Sequence, residues 1–315
     1  MASIGLVLGA GGIVGAAYHA GVLTALAEAG FDARDAEVIV GTSAGASVGA
    51  SLRAGFPPAD LAPRNLGQPI SKEAQALVDA AGGSPDLKLR PRPFSRVPLP
   101  ASPRLLLSAG RLPAKALAGL LPTGTIDNDV IGERISRLYG DTSWPAESLW
   151  ICAVDLDRGD RVVFGSETSA PIGVAVQASS AIPGFFRPVG HDGRRFIDGG
   201  VHSPTNADLT AERNLDLVVI VSPMSATRAG RRSSLASGRP LHGRRLAREV
   251  ARIRASGAAV LTFQPTPTDV SVMGRNGMDA DRRPAATAQA LATARARIAD
   301  PAVADRLDLL RQASS

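Results

Sequence analysis

Glu37-Val38-Ile39-Val40-Gly41-Thr42-Ser43-Ala44-Gly45 is the stretch on which the reading of this chain turns. Residues 37–40, apolar from Val38 onward, read as a strand, and the small-residue stretch Ala46–Ala54 beyond reads as a helix. Between them, Ser43 has glycine at both i−2 (Gly41) and i+2 (Gly45). A serine so flanked, at a strand-to-helix turn, has the layout of a nucleophile elbow, where a bulkier neighbour would clash. The turn presents the hydroxyl at a helix N-terminus, whose amide dipoles favour developing negative charge. The plainer alternative is a serine N-cap in a tight structural turn.

Working outward, Ile4-Gly5-Leu6-Val7-Leu8 reads as another buried strand, ended by Gly9-Ala10-Gly11-Gly12-Ile13-Val14-Gly15. A helix from about Gly15 to Ala29 follows, with Gly30 as its stop. Strand, helix, strand, helix implies a parallel pair with a right-handed crossover. Neighbouring strands lie roughly 4.8 Å apart, so both loops leave the same carboxyl edge. The amides of Gly11 and Gly12 would then stand beside Ser43, suited to an oxyanion hole for acyl transfer. A nucleotide-binding oxidoreductase is the alternative use of the Gly9–Gly15 loop. The dinucleotide fingerprint fails, however, because the last position counted from Gly9 is Val14 and Gly15 comes one residue late. That reading also leaves the Ser43 elbow unexplained.

No residue from Met1 to Ala27 is charged, so a hydropathy window would mark a membrane span or signal peptide. No basic residue precedes Ile4, as a secretory signal requires. Glycine at 5, 9, 11, 12, 15 and 21 favours a buried strand, turn and helix instead.

The third element is Phe196-Ile197-Asp198-Gly199-Gly200, an apolar strand ending in an acid and two glycines. An aspartate there sits where open α/β sheets place their sites; taken alone it could equally be an Asx-turn acid.

Together the three motifs, in this order, resemble the patatin-like phospholipase family (bacterial type) of serine lipid acyl hydrolases. The segment Ala178-Ser179-Ser180-Ala181-Ile182-Pro183-Gly184-Phe185-Phe186-Arg187-Pro188-Val189 is similar to the one that precedes the family's D-G-[GA] strand. The resemblance covers roughly residues 4–50 and 170–210. It implies a three-layer α/β/α fold with a mostly parallel central sheet. It also implies a Ser–Asp dyad, with Ser43 as nucleophile, Asp198 as base and Gly11 and Gly12 as the oxyanion loop. Gly9, Gly15, Gly41, Gly45, Gly199 and Gly200 support those motifs. The chain departs from the family at Ala10, where a further glycine is usual, and at Val14, where Arg or Lys is common. These departures leave a catalytically silent lipid-binding protein as an alternative.

An ordinary aspartate, with a pKa of about 3.9, is a feeble base toward a hydroxyl, and a water-poor pocket would strengthen it. The rival is a triad with one of four histidines, His19, His191, His202 or His242. His202, four residues beyond Asp198, is the foremost of them. His19 reads as a helix residue near the glycine loop and His242 as a surface residue.

The remaining chain, 315 residues with 44% hydrophobic and 20% charged, has globular composition. The expected division is a hydrolase domain over 1–265, an irregular Pro-rich basic lid or insertion at 56–125 within it, and a C-terminal helical extension over 266–315. Further elements are expected as a helix near Asp127–Leu138 and strands at Trp150–Asp155, Val162–Phe164, Leu217–Val221 and 260–263. Ser225–Arg239 reads as a mobile loop, followed by an apolar stripe of Leu246, Val250 and Ile253. A closing helix over 285–313 is broken at Pro301.

Net charge is +6, and it segregates: residues 61–125 carry +6 and 225–260 carry +8, leaving −8 elsewhere. Such surfaces suit anionic headgroups or a solvated arginine face. Aromatics at 4%, none among these arginines, count against nucleic acid. The leucine-rich basic stretch Arg104–Leu121 reads as a lid helix facing the core, with an interfacial helix as the alternative. The single cysteine, Cys152, excludes an internal disulfide and reads as a buried strand thiol.

The expected function is therefore a phospholipase A-like esterase acting on a lipid or ester substrate without metal or organic cofactor. A cytoplasmic location is expected, and the basic stretches allow peripheral contact with an anionic membrane.

Overall fold

The structure is a computed structural model that describes residues 1–83, 101–102, 118–140, 144–227 and 238–313. Its centre is an eight-stranded sheet built from β1 (Ile4–Leu8), β2 (Val38–Thr42), β3 (Ser148–Asp155), β4 (Arg161–Phe164), β5 (Val189–His191), β6 (Arg194–Asp198), β7 (Leu217–Val221) and β8 (Ala259–Phe263). The strands run in the order β5-β6-β3-β2-β1-β7-β8, with β4 also on β3. β3, β2, β1, β7 and β8 are parallel, as expected for buried apolar runs joined by crossovers. β4, β5 and β6 add antiparallel pairs at one end.

Side chains alternate between two cores. Leu6, Leu8, Ile39, Val219, Val221 and Leu261 face α1 (Gly12–Glu28), α2 (Ala44–Arg53) and α6 (Ile172–Ser179). Val7, Val38, Val40, Cys152, Val218 and Ile220 face the opposite layer, where α7 (Arg239–Ala255) contributes Leu246 and Ile253. This is the three-layer α/β/α arrangement, with a mostly parallel central sheet.

The uncharged N-terminal run is explained by α1, which is buried nearly all round. One side faces the sheet and the other is covered by α9 (Arg283–Ile298). Gly21 allows that approach: a β-carbon there would lie 2.6 Å from the Leu291 nitrogen. Among the described residues no helix is long and apolar enough to cross a membrane.

The expected irregularity of 56–125 needs correction at its start. Residues 58–80 hold a short turn, α3 (Leu61–Asn65) and α4 (Lys72–Ala80), which bury Leu61, Ala62, Ala74 and Val78. Pro63 lies in the first turn of α3, where its missing N–H costs little, and Ser71 caps α4 by accepting from the Ala74 amide. Residues 84–100 and 103–117, including most of the leucine-rich stretch, lie outside the described residues, as does 228–237 of the expected mobile loop. Leu120 and Leu121 at the stretch's end are exposed. α5 (Asp129–Tyr139), α8 (Pro267–Met273) and α10 (Ala304–Ala313) complete the helices used below. The closing helix is interrupted after Ile298, where Asp300 caps a short turn at Pro301.

Candidate active site

Ser43 follows β2 directly with φ 54 and ψ −118, a strained conformation for a residue with a β-carbon. The flanking glycines make it possible. A β-carbon at Gly45 would fall 1.9 Å from the Leu8 carbonyl oxygen, and one at Gly41 would fall 2.6 Å from the Ala46 Cα. The Ser43 hydroxyl makes no capping bond into α2, which removes the N-cap explanation of this serine. Its amide instead donates to Ser179 Oγ at 2.8 Å, and Ser179 Oγ donates to the Cys152 carbonyl at 2.6 Å. Ser179 thus ties the elbow to β3.

Sheet register brings Asp198 to the elbow. β3 pairs with β4 over Ile151–Val154, so β2 and β6 must share its other edge. β2 occupies that edge up to Thr42, opposite Cys152, and there turns away into α2. β6 takes the vacated edge, running antiparallel from Phe196 opposite Asp155 to Asp198 opposite Ala153. Asp198 therefore meets the end of β2 head-on. Its carboxyl accepts a hydrogen bond at 2.7 Å from the Gly200 amide, and the Ser43 side chain stands near enough to influence its protonation. Burial lifts the Asp198 pKa to about 6, while the neighbouring Ser43 side chain and the Gly200 amide hold it down.

The loop after Asp198 is tied at several points. Asn206, in the left-handed region at φ 49, donates to the Ser203 carbonyl at 2.7 Å and to Thr42 Oγ1 at 3.1 Å. Buried Glu249 on α7 accepts from Ser203 and Thr205 hydroxyls and from the Ala207 amide. Sequence reasoning missed Ser179, Asn206 and Glu249. Ser179 and Asn206 stand inside or just after quoted motifs, and Glu249 was visible only as the lone acid among the arginines of 225–260.

The glycine loop leaves the end of β1 and lines the same cavity as this pair. Gly9 and Ala10 amides donate to the Val221 and Pro204 carbonyls, and Val14 and Gly15 amides to Gly277 and Gly11. Among the described residues the amides of Gly11 and Gly12 have no such partner, and both residues line the cavity that holds Ser43 and Asp198. Gly12 has φ +63, and a β-carbon there would meet the Gly277 oxygen at 2.7 Å. Buried His19 donates from Nε2 to the Gly9 carbonyl at 2.7 Å, and burial drops its pKa to about 4. It is a neutral brace beneath the loop. Val14 and Ala10, the two departures, are buried.

His202 is not brought to Ser43. Its Nε2 lies 3.2 Å from Arg245 Nη2, and it lines neither cavity at the serine. His191 sits beside Asp192. His242 is half-buried on α7 rather than at the surface, and burial and Arg239 lower its pKa. Cys152 is buried in β3, its thiol pushed up to about 12 by desolvation.

Two cavities meet at the serine. One, of about 460 Å³, also holds Gly11 and Asp198 and is walled by residues such as Val14, Leu121, Ile182, Pro223 and Met273. The other, of about 300 Å³, runs along the groove between α1 and α2. Gly12, Ser43, Ile182 and Met278 belong to both. The arrangement places a hydroxyl, a desolvated carboxylate and unsatisfied amides at one point of an apolar enclosure, which is the equipment for acyl transfer.

A family model described as patatin-like phospholipase matches residues 6–211. Among solved structures the chain is similar to VipD from Legionella pneumophila, at 16% identity and a TM-score of 0.39, over 93% of this chain and 67% of that one.

Proposed function

The chain belongs to the patatin-like phospholipase family, and from that premise we propose that it is a serine acyl hydrolase using a Ser43–Asp198 dyad on a lipid or related ester. Asp198 takes the hydroxyl proton as Ser43 Oγ attacks the ester carbonyl. The carbonyl oxygen gains negative charge against the Gly11 and Gly12 amides and the N-terminus of α1. Collapse returns the proton to the leaving alcohol and leaves an acyl-enzyme. Asp198 then takes a proton from water as it attacks the acyl carbonyl, and passes that proton to Ser43 Oγ as the acyl–serine bond breaks, releasing the fatty acid and free Ser43.

The observation that supports this reading best is the Ser43 hydroxyl itself. It is unused as a cap and shares its cavity with a buried carboxyl whose pKa stands near 6, roughly two units better as a base than an exposed aspartate. Burial thus supports a dyad by making the carboxyl a stronger base than an ordinary aspartate.

Reaction with a fluorophosphonate probe tests it. Labelling of the wild type that disappears in Ser43→Ala is expected. A folded wild type that resists the probe while still binding lipid vesicles would replace the enzyme reading with that of a silent lipid-binding protein.

A further inference from the structure

The groove between α1 and α2 starts at Ser43 and has an apolar floor of Ala16, Ala17, Ala20, Val48 and Phe56. Its walls also carry Arg64, Arg134 and Arg283, which reach it from α3, α5 and the start of α9. Three segments far apart in the chain thus direct guanidinium groups to one groove. Asn65, next to Arg64, donates to Thr287 Oγ1 at 3.1 Å, and Thr287 lies one turn beyond Arg283, so α3 and α9 are fastened where these two arginines leave them. Arg64 stacks over the Phe56 ring at 5.7 Å, and Arg134 Nη1 is held by the Gly83 carbonyl at 2.6 Å.

Like charges gathered in a part-buried groove repel, and an isolated cluster of this kind is costly unless something neutralises it. Among the described residues none of the three forms an ion pair, although neighbouring Arg137 pairs with Glu133. Burial lowers the pKa of Arg64, and Arg134 and Arg283 lower it further; Arg134 is lowered by burial, Arg137 and Arg283. A planar, five-donor group suits a phosphate or carboxylate. The larger cavity, on the other side of Ser43, leaves room for the acyl chain.

We propose that Arg64, Arg134 and Arg283 form an oxyanion subsite for the alcohol portion of the ester, so that the preferred substrates carry a phosphate or carboxylate beside the scissile bond. The proposal rests on the acyl-hydrolase reading for its consequence in turnover, but not for the binding itself.

Three dodecanoyl esters with one skeleton test it: 1-dodecanoylglycerol, its 3-phosphate, and the 3-O-dodecanoyl ester of glyceric acid. The ratio of kcat/KM for an anionic ester to that for the neutral one is independent of how much protein is folded. The wild type is expected to favour the phosphate ester, and each of Arg64→Gln, Arg134→Gln and Arg283→Gln to cut the ratio about tenfold, the worth of one hydrogen bond to a charged group. Arg311→Gln, at an exposed residue of α10 that lines neither cavity, should keep it. A preference shared by the glycerate ester supports a general oxyanion subsite, and one confined to the phosphate ester supports a phosphate subsite. Equal rates for all three esters, or a preference that survives the triple variant, would overturn the proposal and leave the hydrolase reading intact.

Calorimetric titration of Ser43→Ala protein with the same compounds separates the opposite failure. Tighter binding of the phosphate ester that the arginine variants lose, with no turnover of any ester by the wild type, would sink the hydrolase reading and keep the subsite. Titration with glycerol 3-phosphate then tells whether a soluble phosphate ester suffices or the lipid chain is needed; either outcome supports the subsite if the arginine variants abolish it.

Discussion

Asp198 is the residue on which chemistry and stability pull in opposite directions. Its carboxyl is nearly buried and its pKa is raised from 3.8 to about 6. The native state therefore holds that proton over a pH range where the unfolded chain has released it. As pH rises from about 4 to 6, this group removes stability, and above 6 the full penalty remains. Asp198→Asn keeps an oxygen to accept from Gly200 but carries no charge. It should abolish turnover and, in the same protein, raise stability at pH 7.5 by on the order of 3 kcal/mol, the value of two pKa units. Urea denaturation of both proteins at pH 4 and 7.5 checks this: the gain should be absent at the lower pH. The wild-type kcat/KM should fall on the acid side with an apparent pKa near 6. His202→Ala, whose ring faces Arg245, should retain most activity; a loss as deep as that of Asp198→Asn would rule out the dyad.

At the scale of elements, the site depends on how β3 divides its edge. β2 must stop at Thr42 for β6 to pair over Ala153–Asp155, and Ser179 on α6 holds that junction closed. Ser179→Ala would leave a buried amide and a buried carbonyl without their shared partner, each costing about 1–3 kcal/mol. The expected result is a lower melting temperature and a reduced kcat with KM little changed, because the strained Ser43 backbone loses its anchor. Measuring kcat and KM separately decides it. A change confined to KM would mean that Ser179 acts through the pocket wall instead.

For the whole molecule, the glycine loop near the start of the chain and the helix it opens are held by the segment after residue 265. Gly277 accepts from the Val14 amide, and α9 covers the outer side of α1. The helical segment after residue 265 is thereby proposed to be part of the folding unit. A chain cut after residue 265 would expose the apolar outer face of α1, and such contiguous apolar surface promotes association. It should be recovered as aggregate or as a chain without a cooperative melting transition. A soluble, cooperatively melting 1–265 protein would show the segment to be dispensable.

Strand runs, the elbow and the parallel β1–β2 pair were legible in the sequence because each is set by neighbours. Consecutive apolar residues demand burial, glycines at i−2 and i+2 admit one tight turn, and a strand followed by a helix crosses over with one hand. The irregularity expected over 56–125 was wrong at 58–80 for a related reason: prolines dominated the local pattern and hid two short helices that need their neighbours to bury Leu61, Ala74 and Val78. Only the tertiary structure decided the rest. Burial in the assembled fold, which no local pattern encodes, raises the pKa of the Asp198 carboxyl to near 6 and leaves His19 a neutral brace. The division of β3 between two strands, the bridge from Ser179 to Ser43 over 136 residues, and the convergence of Arg64, Arg134 and Arg283 depend on contacts distant in the chain. Local sterics specify how each segment bends; which segments then meet is settled by packing, and the chemistry proposed for this site lies in those meetings.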